Sequence, residues 1–313
     1  MSTPESLRHI TRRHFLKIAG ASTASLALLP GPLWPAEKEA IFRVVPSTRT
    51  TLPVIGMGSW LTFDVHIRSP MAGKRVEVLR TFFNSGGALI DSSPMYGLSE
   101  EVIGYGLRQL PGDGALFSAT KVWTRGQQRG IRQMGSSLEL WGIELFDLMQ
   151  IHNMVDWEDH LQTLRAWKAD NRIGHIGMTT SHGRRHDKLE RALKSEKFDF
   201  VQFTYNMADR QVERRLLPLA ADLGLGVIIN RPFRGGRLFS HVRGQPLPDW
   251  AAEFDCRNWA QFFLKFIVSH PAVTCAIPAT RQVGHMRENM AAGYGLLPDE
   301  KMRQRMITYF DNI

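Results

Sequence analysis

Four side chains that can hold, move or steer a proton lie where short apolar segments of the sequence end. Asp91 closes one apolar segment, and Tyr96 comes five residues later. Lys121 ends a second segment, and His152 directly follows a third. A phenol is a poor acid, with an ordinary pKa of about 10, and a nearby ammonium lowers that value. We therefore expect Tyr96 to act as a general acid that Lys121 and Asp91 tune.

The histidine of this set also has a chemical role, but the set contains no hydride source. His152 would orient a carbonyl oxygen by hydrogen bonding while Tyr96 protonates it. This chemistry fits carbonyl reduction, but none of the four side chains carries a hydride. A cofactor must supply it.

The elements that position these residues alternate between two types. Strand-like apolar runs occur eight times and are separated by amphipathic helical patterns. They are 54–58, 88–91, 116–121, 145–151, 175–178, 200–203, 226–229 and 273–277. Eight β-α units predict an α/β fold, a (β/α)8 TIM barrel, whose strand ends converge on one mouth. A short N-terminal β-hairpin is predicted from 42–45 and 50–53.

An open Rossmann sheet is the rival fold. It would normally carry Gly-x-Gly-x-x-Gly after its first strand. Here Gly56-Met-Gly58 continues as Ser-Trp60-Leu-Thr, so the third glycine is missing. The barrel is therefore the favoured fold.

The sequence Asp91-Ser-Ser-Pro-Met-Tyr96-Gly97-Leu-Ser-Glu100, followed by Thr120-Lys121 and Gln150-Ile151-His152, resembles the aldo-keto reductase superfamily. The resemblance spans nearly all of residues 40–295. It implies a barrel that binds NADP or NAD in extended form. It also implies Tyr96 as general acid, and Trp60 and Trp123 as aromatic residues of the substrate pocket.

The expected nicotinamide contacts match this family only in part. At the fifth strand end the family has Ser-Asn, whereas this chain has Thr179 and Thr180. Gln202 matches the usual carboxamide-binding glutamine. Asn230 stands where the family has an aromatic residue that stacks on nicotinamide, so the resemblance does not extend to that contact.

The remaining cofactor contacts are expected from the last two strand ends, on the phosphates and the adenine. They are Arg231, Phe233, Arg234, Thr280, Arg281, Glu288 and Asn289. Arg281 favours NADP, because a guanidinium suits a phosphate dianion. His285 stands where many family members have arginine, so NAD remains an alternative.

The N-terminus has a different character. Arg12-Arg13-His-Phe15-Leu16-Lys17 precedes a short, weakly apolar segment and resembles a twin-arginine (Tat) export signal. We expect residues 1–36 to be this signal peptide and 37–313 to be the barrel. The expected location is the periplasm, and the expected partner during export is the Tat translocon.

Composition excludes several other classes. The chain has 313 residues, 43% of them hydrophobic and 22% charged, which excludes a disordered chain. The net charge is +9, and residues 1–36 contribute four basic side chains against one acidic one. Because no basic stripe remains, we expect no nucleic-acid partner. No apolar run is long enough for a stable transmembrane segment. Two cysteines, Cys256 and Cys275, are expected to be free and buried.

Three functions remain to be compared. The favoured one is an exported NADP(H)-dependent oxidoreductase that reduces aldehydes or ketones, small-molecule carbonyl substrates. The alternative is a nucleotide-binding regulatory or redox-sensing module of the same fold with little turnover. A metal-dependent barrel hydrolase lacks support, because His182 and His186 are not accompanied by carboxylates at strand ends.

Overall fold

Eight parallel strands surround the centre of the protein. The computed structural model describes residues 39–110 and 116–313, which fall in one unit, Lys38–Ile313. The strands are β3 (Met57–Gly58), β4 (Leu89–Asp91), β5 (Phe117–Val122), β6 (Phe146–Ile151), β7 (Ile173–Thr179), β8 (Phe200–Thr204), β9 (Gly226–Asn230) and β10 (Cys275–Ala276). Each pairs in parallel with its sequence neighbour. Parallel bridges from Ile55 to Ala276 and from Gly58 to Ala279 close the sheet into a barrel. The predicted fold is confirmed.

The strands are apolar on both sides because both sides are covered. One buried cluster, which includes Leu89, Leu148 and Phe200, fills the barrel interior. A larger cluster lies between the strands and the helices outside them. Strands buried on both faces are typical of parallel sheets, and this is why the sequence shows them as continuous apolar runs.

Helices cover the outside of the barrel. They are α1 (Pro70–Asn84), α2 (Ser99–Leu107), α3 (Gln127–Trp141), α4 (Trp157–Ala169), α5 (His186–Ser195), α6 (Leu216–Asp222), α7 (Arg237–His241), α8 (Trp259–Val268), α9 (Val283–Ala291) and α10 (Glu300–Asp311). Residue types at several helix starts explain the boundaries. Ser69 caps α1 ahead of Pro70, Asn258 caps α8, and Asp299 caps α10 by accepting a backbone N–H bond. The sequence patterns did not predict α7 and α10.

The predicted hairpin closes the lower end of the barrel. Strand β1 (Phe42–Val44) pairs antiparallel with β2 (Thr51–Pro53). Val45 and Leu52 are buried in the same cluster as the barrel interior. The hairpin therefore seals the end opposite the strand ends that bear the candidate chemistry.

Two expectations concern other segments. The aromatic residues of the segment 239–257 predict that this segment helps to close the pocket, and the structure agrees only at its first residue, Phe239, which lines the pocket. Trp250 packs on Tyr309 and Arg305, and Phe254 is buried against Phe262. Cys256 and Cys275 are both free and buried, as predicted.

The predicted signal, residues 1–36, lies outside the described residues. Within the part that is described, none of the helices combines the length and the apolar character needed to cross a bilayer.

Candidate active site

A pocket of about 350 Å³ opens at the carboxyl ends of the strands. This size lies within the range usual for sites of small ligands. Of the four predicted catalytic residues, Asp91, Tyr96 and His152 line it. Lys121 lies directly beneath, with its Nζ 5.2 Å from the centre of the Tyr96 ring. The barrel thus brings together side chains that are up to 61 residues apart in the chain.

Lys121 and Asp91 form an ion pair inside the barrel. The Lys121 Nζ is 2.5 Å from Oδ2 of Asp91, and the two side chains are 0% and 2% exposed. Nζ also donates to the backbone oxygen of Ser92 at 2.7 Å. The other carboxylate oxygen of Asp91 accepts from Gln150 at 2.8 Å and from Gln202 at 2.9 Å. A buried carboxylate with this many donors stays in one orientation.

The electrostatics of Tyr96 differ from the expectation. Burial first, and the charge of Asp91 second, raise the pKa of Tyr96 above its ordinary value. The expected lowering by Lys121 is not seen, since that ammonium already donates to Asp91 and Ser92. Burial also lowers the pKa of Lys121, against the opposing effect of Asp91. The Tyr96 phenol therefore holds its proton firmly at neutral pH.

His152 forms a second wall beside Tyr96. Its ring is 4% exposed and makes an edge contact with the Tyr96 ring, with the centroids 5.8 Å apart. Burial first, and the charge of Lys121 second, lower the pKa of His152 to about 2. The imidazole is therefore neutral at physiological pH, which suits a hydrogen-bonding role.

Glu100 supports the site from below, a role that the sequence did not reveal. It is 2% exposed and belongs to the first turn of α2, just after the Tyr96 loop. Its carboxylate accepts hydrogen bonds from Thr120, Ser137 and Trp141. Burial still raises the pKa of Glu100. These bonds tie α2 to β5 and α3, and so support the loop that presents Tyr96.

A chain of amide side chains forms the floor of the pocket. Gln202 donates to Asp91 and to Gln150, and its own oxygen accepts from Asn230 at 3.2 Å. Asn230 also donates to the backbone oxygen of Thr180 at 2.9 Å and accepts from Thr204 at 2.7 Å. Asn230 therefore has a defined structural role at the position where the family has an aromatic residue. This polar floor leaves Gln202 with little free bonding capacity.

The two threonines at the end of β7 differ in what they offer a ligand. The hydroxyl of Thr179 accepts from the backbone N–H of Asn153 at 3.0 Å. The hydroxyl oxygen of Thr180 is buried, and it has no hydrogen-bond partner among the described residues. Both residues line the pocket. An unpartnered buried hydroxyl in a pocket wall is expected to meet a polar ligand atom, because leaving it unpaired is costly.

The cofactor-binding residues predicted after β9 separate into two groups. Arg231 and Phe233 line the pocket, and the Arg231 guanidinium lies 5.6 Å from the Trp60 ring centre. Burial lowers the pKa of Arg231, with Arg237 and Arg234 adding to the effect and Asp209 opposing it. Arg234 lies outside the pocket lining and pairs with Asp209 at 3.3 Å. Arg231 is thus the cation available to a bound anion.

The predicted adenine end lies outside the pocket. Thr280 accepts from the backbone N–H of Gln282 and shapes the turn after β10, and Asn289 is buried in α9. Arg281 and Glu288 are exposed.

A cation that sequence reasoning missed lies near this end. Arg75 on α1 is 6% exposed, and its Nε donates to the backbone oxygen of Thr62 at 2.5 Å. Burial and the charge of Arg281 lower its pKa. Arg75 and Arg281 form no ion pair with a carboxylate within the described ranges 39–110 and 116–313. In the sequence, Arg75 was hidden in the pattern of an amphipathic helix.

Aromatic side chains form the outer walls of the pocket. Trp60 lines it as predicted, whereas Trp123 is not among the lining residues and instead contacts the His152 ring, with ring centroids 6.4 Å apart. Both are partly exposed, at 37% and 41%. Phe239 also lines the pocket, as does Met95, to which the sequence did not assign a role. The site therefore combines a polar floor with largely apolar walls.

Comparison with known proteins agrees with this geometry. The model of the Aldo/keto reductase family matches residues 54–306. The NADH-specific methylglyoxal reductase of Escherichia coli is 24% identical over 66% of this chain and 71% of its own length. The aldo-keto reductase YhdN of Bacillus subtilis is 25% identical over 54% of each chain, so the match spans about half of that relative.

Solved structures show the same fold. An aldo-keto reductase from Klebsiella pneumoniae in complex with NADPH superposes with a TM-score of 0.71. It is 23% identical, and the match covers 88% of this chain and 95% of that one. The holo form of an aldo-keto reductase from Bacillus halodurans has a TM-score of 0.70 and 18% identity, over 87% and 96% of the two chains.

Proposed function

Because this chain belongs to the Aldo/keto reductase family, we propose that it is an NADP(H)-dependent oxidoreductase that reduces an aldehyde or ketone to an alcohol. The observation that supports this most is the convergence of Tyr96 and His152 on one pocket, above the buried pair Lys121–Asp91. Each of these residues alone has a structural explanation. Together they form a proton donor, a hydrogen-bond donor and a fixed charge around one small volume.

The chain's own residues have distinct tasks in this reaction. Tyr96 transfers its proton to the carbonyl oxygen as that oxygen gains charge. The Lys121 ammonium donates to Asp91 and Ser92 and holds the floor of the site in place beneath the Tyr96 ring, 5.2 Å from its centre. His152 is neutral, so it orients the carbonyl by a hydrogen bond without donating a net charge. Trp60, in the pocket wall, shields the reacting atoms from water.

The residues present fit a nicotinamide dinucleotide. The unpartnered hydroxyl of Thr180 and the hydroxyl of Thr179 offer partners for a carboxamide. Arg231 would meet the pyrophosphate, and Arg281 the adenosine phosphate. When bound, the cofactor supplies the hydride that these side chains cannot supply. NADP is preferred because of Arg281, and NAD is the alternative. The name of the Escherichia coli relative, which specifies NADH, keeps that alternative open.

Three measurements on the purified protein test the proposal. Nucleotide released by denaturation is identified, and binding of added NADPH and NADH is measured by quenching of tryptophan fluorescence. Turnover is then measured with a panel of aldehydes and ketones that includes methylglyoxal. We expect bound or binding nucleotide and measurable reduction. The proposal would be overturned if no nucleotide bound at micromolar concentrations, and also if no carbonyl compound was turned over.

The Tyr96→Phe variant tests the assigned acid. Its kcat should fall by about 10²–10⁴-fold, the range typical for loss of a general acid. Its affinity for nucleotide should stay unchanged, because the hydroxyl contacts the carbonyl and not the cofactor. The matched control is Tyr105→Phe, a tyrosine on α2 outside the pocket lining, which should keep its turnover. Unchanged turnover in Tyr96→Phe would refute the role of Tyr96.

A nucleotide-binding regulatory module is the second candidate. The observation in its favour is Asn230, whose amide is engaged in the pocket floor at a position where the family has an aromatic residue. Such a module would bind nucleotide but reduce every carbonyl slowly. In that case Tyr96→Phe would change neither nucleotide affinity nor the slow turnover, so the same experiments separate the two functions.

We further propose that the protein acts in the periplasm. The support is the pair Arg12-Arg13 followed by Phe15-Leu16-Lys17, a pattern typical of a twin-arginine signal. The Tat pathway moves folded proteins, so the cofactor would be bound before export. The periplasm has no obvious pool of free NADPH. We therefore expect the cofactor to be held tightly enough to survive purification from that compartment.

A further inference from the structure

Ser93 lies directly behind the imidazole ring of His152. It is fully buried, at 0% exposure, two residues after the end of β4. Its hydroxyl oxygen is 2.9 Å from Nδ1 of His152. This is the ordinary distance of a hydrogen bond, and the direction of the bond decides which ring nitrogen carries the proton.

The donors and acceptors around the Ser93 hydroxyl determine the direction of its bond to His152. The hydroxyl oxygen of Ser93 already accepts the backbone N–H of Met95 at 3.2 Å. Its own proton needs an acceptor, because an unpaired buried donor costs about 1–3 kcal/mol. Among the described residues, Nδ1 of His152 is the acceptor that the structure places within reach. Ser93 therefore donates, and Nδ1 is the acceptor.

The other ring nitrogen must then carry the proton. Burial, together with Lys121, keeps the ring neutral, so only one of its two nitrogens carries a proton. With Nδ1 accepting, that proton lies on Nε2. His152 lines the pocket, and within the part of the chain that the structure describes, its ring makes its hydrogen bond through Nδ1, which leaves Nε2 without a protein partner. An N–H group therefore faces the space beside the Tyr96 phenol.

We propose that Ser93 is a positioning residue that holds His152 in the Nε2–H tautomer, so that the pocket presents two donors, Tyr96 and His152, to one carbonyl oxygen. The opposite tautomer would present a lone pair at Nε2, and two lone pairs repel. The inference that both donors meet a carbonyl oxygen rests on the proposed function. The tautomer itself does not, because it follows from contacts within the protein.

Nuclear magnetic resonance on the full chain tests the tautomer without any turnover. Protein labelled with ¹⁵N-histidine is examined by long-range ¹H–¹⁵N correlation, and His152→Gln identifies the His152 signals. In the wild type we expect the pattern of a protonated Nε2 and an unprotonated Nδ1. In Ser93→Ala, Nδ1 loses its donor and we expect a mixture of tautomers or the Nδ1–H form. A protonated Nδ1 in the wild type, or an unchanged tautomer in Ser93→Ala, would overturn the inference.

Kinetics provide the second readout. Outright loss of a hydrogen-bond donor to a developing oxyanion costs about 10²–10³ in kcat. Ser93→Ala leaves the imidazole in place, so we expect a smaller loss, about tenfold, in kcat for methylglyoxal with unchanged affinity for NADPH. Ser93→Thr keeps a hydroxyl and should restore both the tautomer and most of the rate.

A matched control separates this effect from general loss of a buried hydroxyl. Ser118 is 2% exposed and donates to Asp147 at 2.9 Å near the start of β5, outside the pocket lining. Ser118→Ala should destabilise the protein without changing the His152 tautomer or kcat. If methylglyoxal and the other carbonyls are not reduced at all, the proposed function fails, and the resonance experiment still decides the role of Ser93. If reduction is normal in Ser93→Ala, the inference fails alone.

Discussion

The carboxylate of Asp64 packs directly against the α-carbon of Gly97, the residue that follows Tyr96. Asp64 accepts the backbone N–H of Leu98 at 2.9 Å, and Gly97 has a φ of +60°. The turn that presents the phenol therefore depends on a residue without a side chain. A Cβ at Gly97 would collide with all three atoms of the Asp64 carboxyl group.

The variant Gly97→Ala should consequently lose both stability and activity. Left-handed backbone costs a residue with a Cβ about 1–2 kcal/mol, before any cost of moving Asp64. We expect the free energy of unfolding in urea to fall by at least this amount, and kcat to fall as Tyr96 is displaced. The matched control is Gly73→Ala, at an exposed position of α1 where a Cβ would meet nothing within 4 Å. It should gain about 0.5–1 kcal/mol, because alanine is the better helix former. Equal behaviour of the two variants would contradict the role given to Gly97.

The buried pair Asp91–Lys121 gives a second prediction. If one residue of the pair is replaced, the other remains buried in the barrel without its ion-pair partner, whether it is charged or neutral. Asp91→Asn and Lys121→Met should each cost about 3–5 kcal/mol in urea unfolding. The double variant should cost clearly less than the sum of the two, because it leaves neither group unpaired. Strict additivity would show that the two residues do not stabilise each other.

The sequence predicted the barrel well because strands buried on both faces appear as uninterrupted apolar runs. It missed α10 because one of the three residues that this helix buries is an arginine. Arg303, Met306 and Phe310 face inward, and the Arg303 guanidinium pairs with Glu213 and Tyr205 at 2.8 and 2.7 Å. The apolar stripe is therefore shorter than the helix. No local pattern could reveal that this charge has partners 90 and 98 residues away.

The sequence predicted where the site lies, but not the hydrogen bonds and pKa shifts of its residues. Parallel strands end at one mouth, so Asp91, Tyr96 and His152 were expected to meet. The sign of the pKa shift at Tyr96 depended on whether burial or Lys121 dominates, and spacing along the chain contains neither quantity. Likewise Gln202 matched a cofactor-binding position, yet its amide donates to Asp91, 111 residues earlier in the chain. Ser93 showed no signal, because a serine after a strand is common.

Export gives a third prediction. Replacing the paired arginines, Arg12→Lys with Arg13→Lys, should leave the protein in the cytoplasmic fraction, because the Tat pattern requires both guanidinium groups. The wild type should be found in the periplasmic fraction of the same cells, as judged by immunoblotting. Arg8→Lys changes a basic residue outside the pair and is the matched control, which should be exported. Periplasmic recovery of the double variant would contradict the proposed signal.

The neutral state of His152 predicts a pH dependence of stability. Its pKa in the folded protein is lowered to about 2, whereas in the unfolded chain it is about 6.5. Between these values the unfolded state binds one proton more, so acid favours unfolding. The stability due to this group is present above about pH 6.5 and is lost at about 1.4 kcal/mol per pH unit below it.

The His152→Gln variant lacks the titrating group, so the stability of this variant should fall less steeply on acidification. Urea unfolding at about pH 6 and about pH 5 measures both slopes, which should differ by about 1.4 kcal/mol over that interval. Parallel slopes would mean that His152 takes up a proton in the folded protein, and the neutral hydrogen-bonding role would then be wrong.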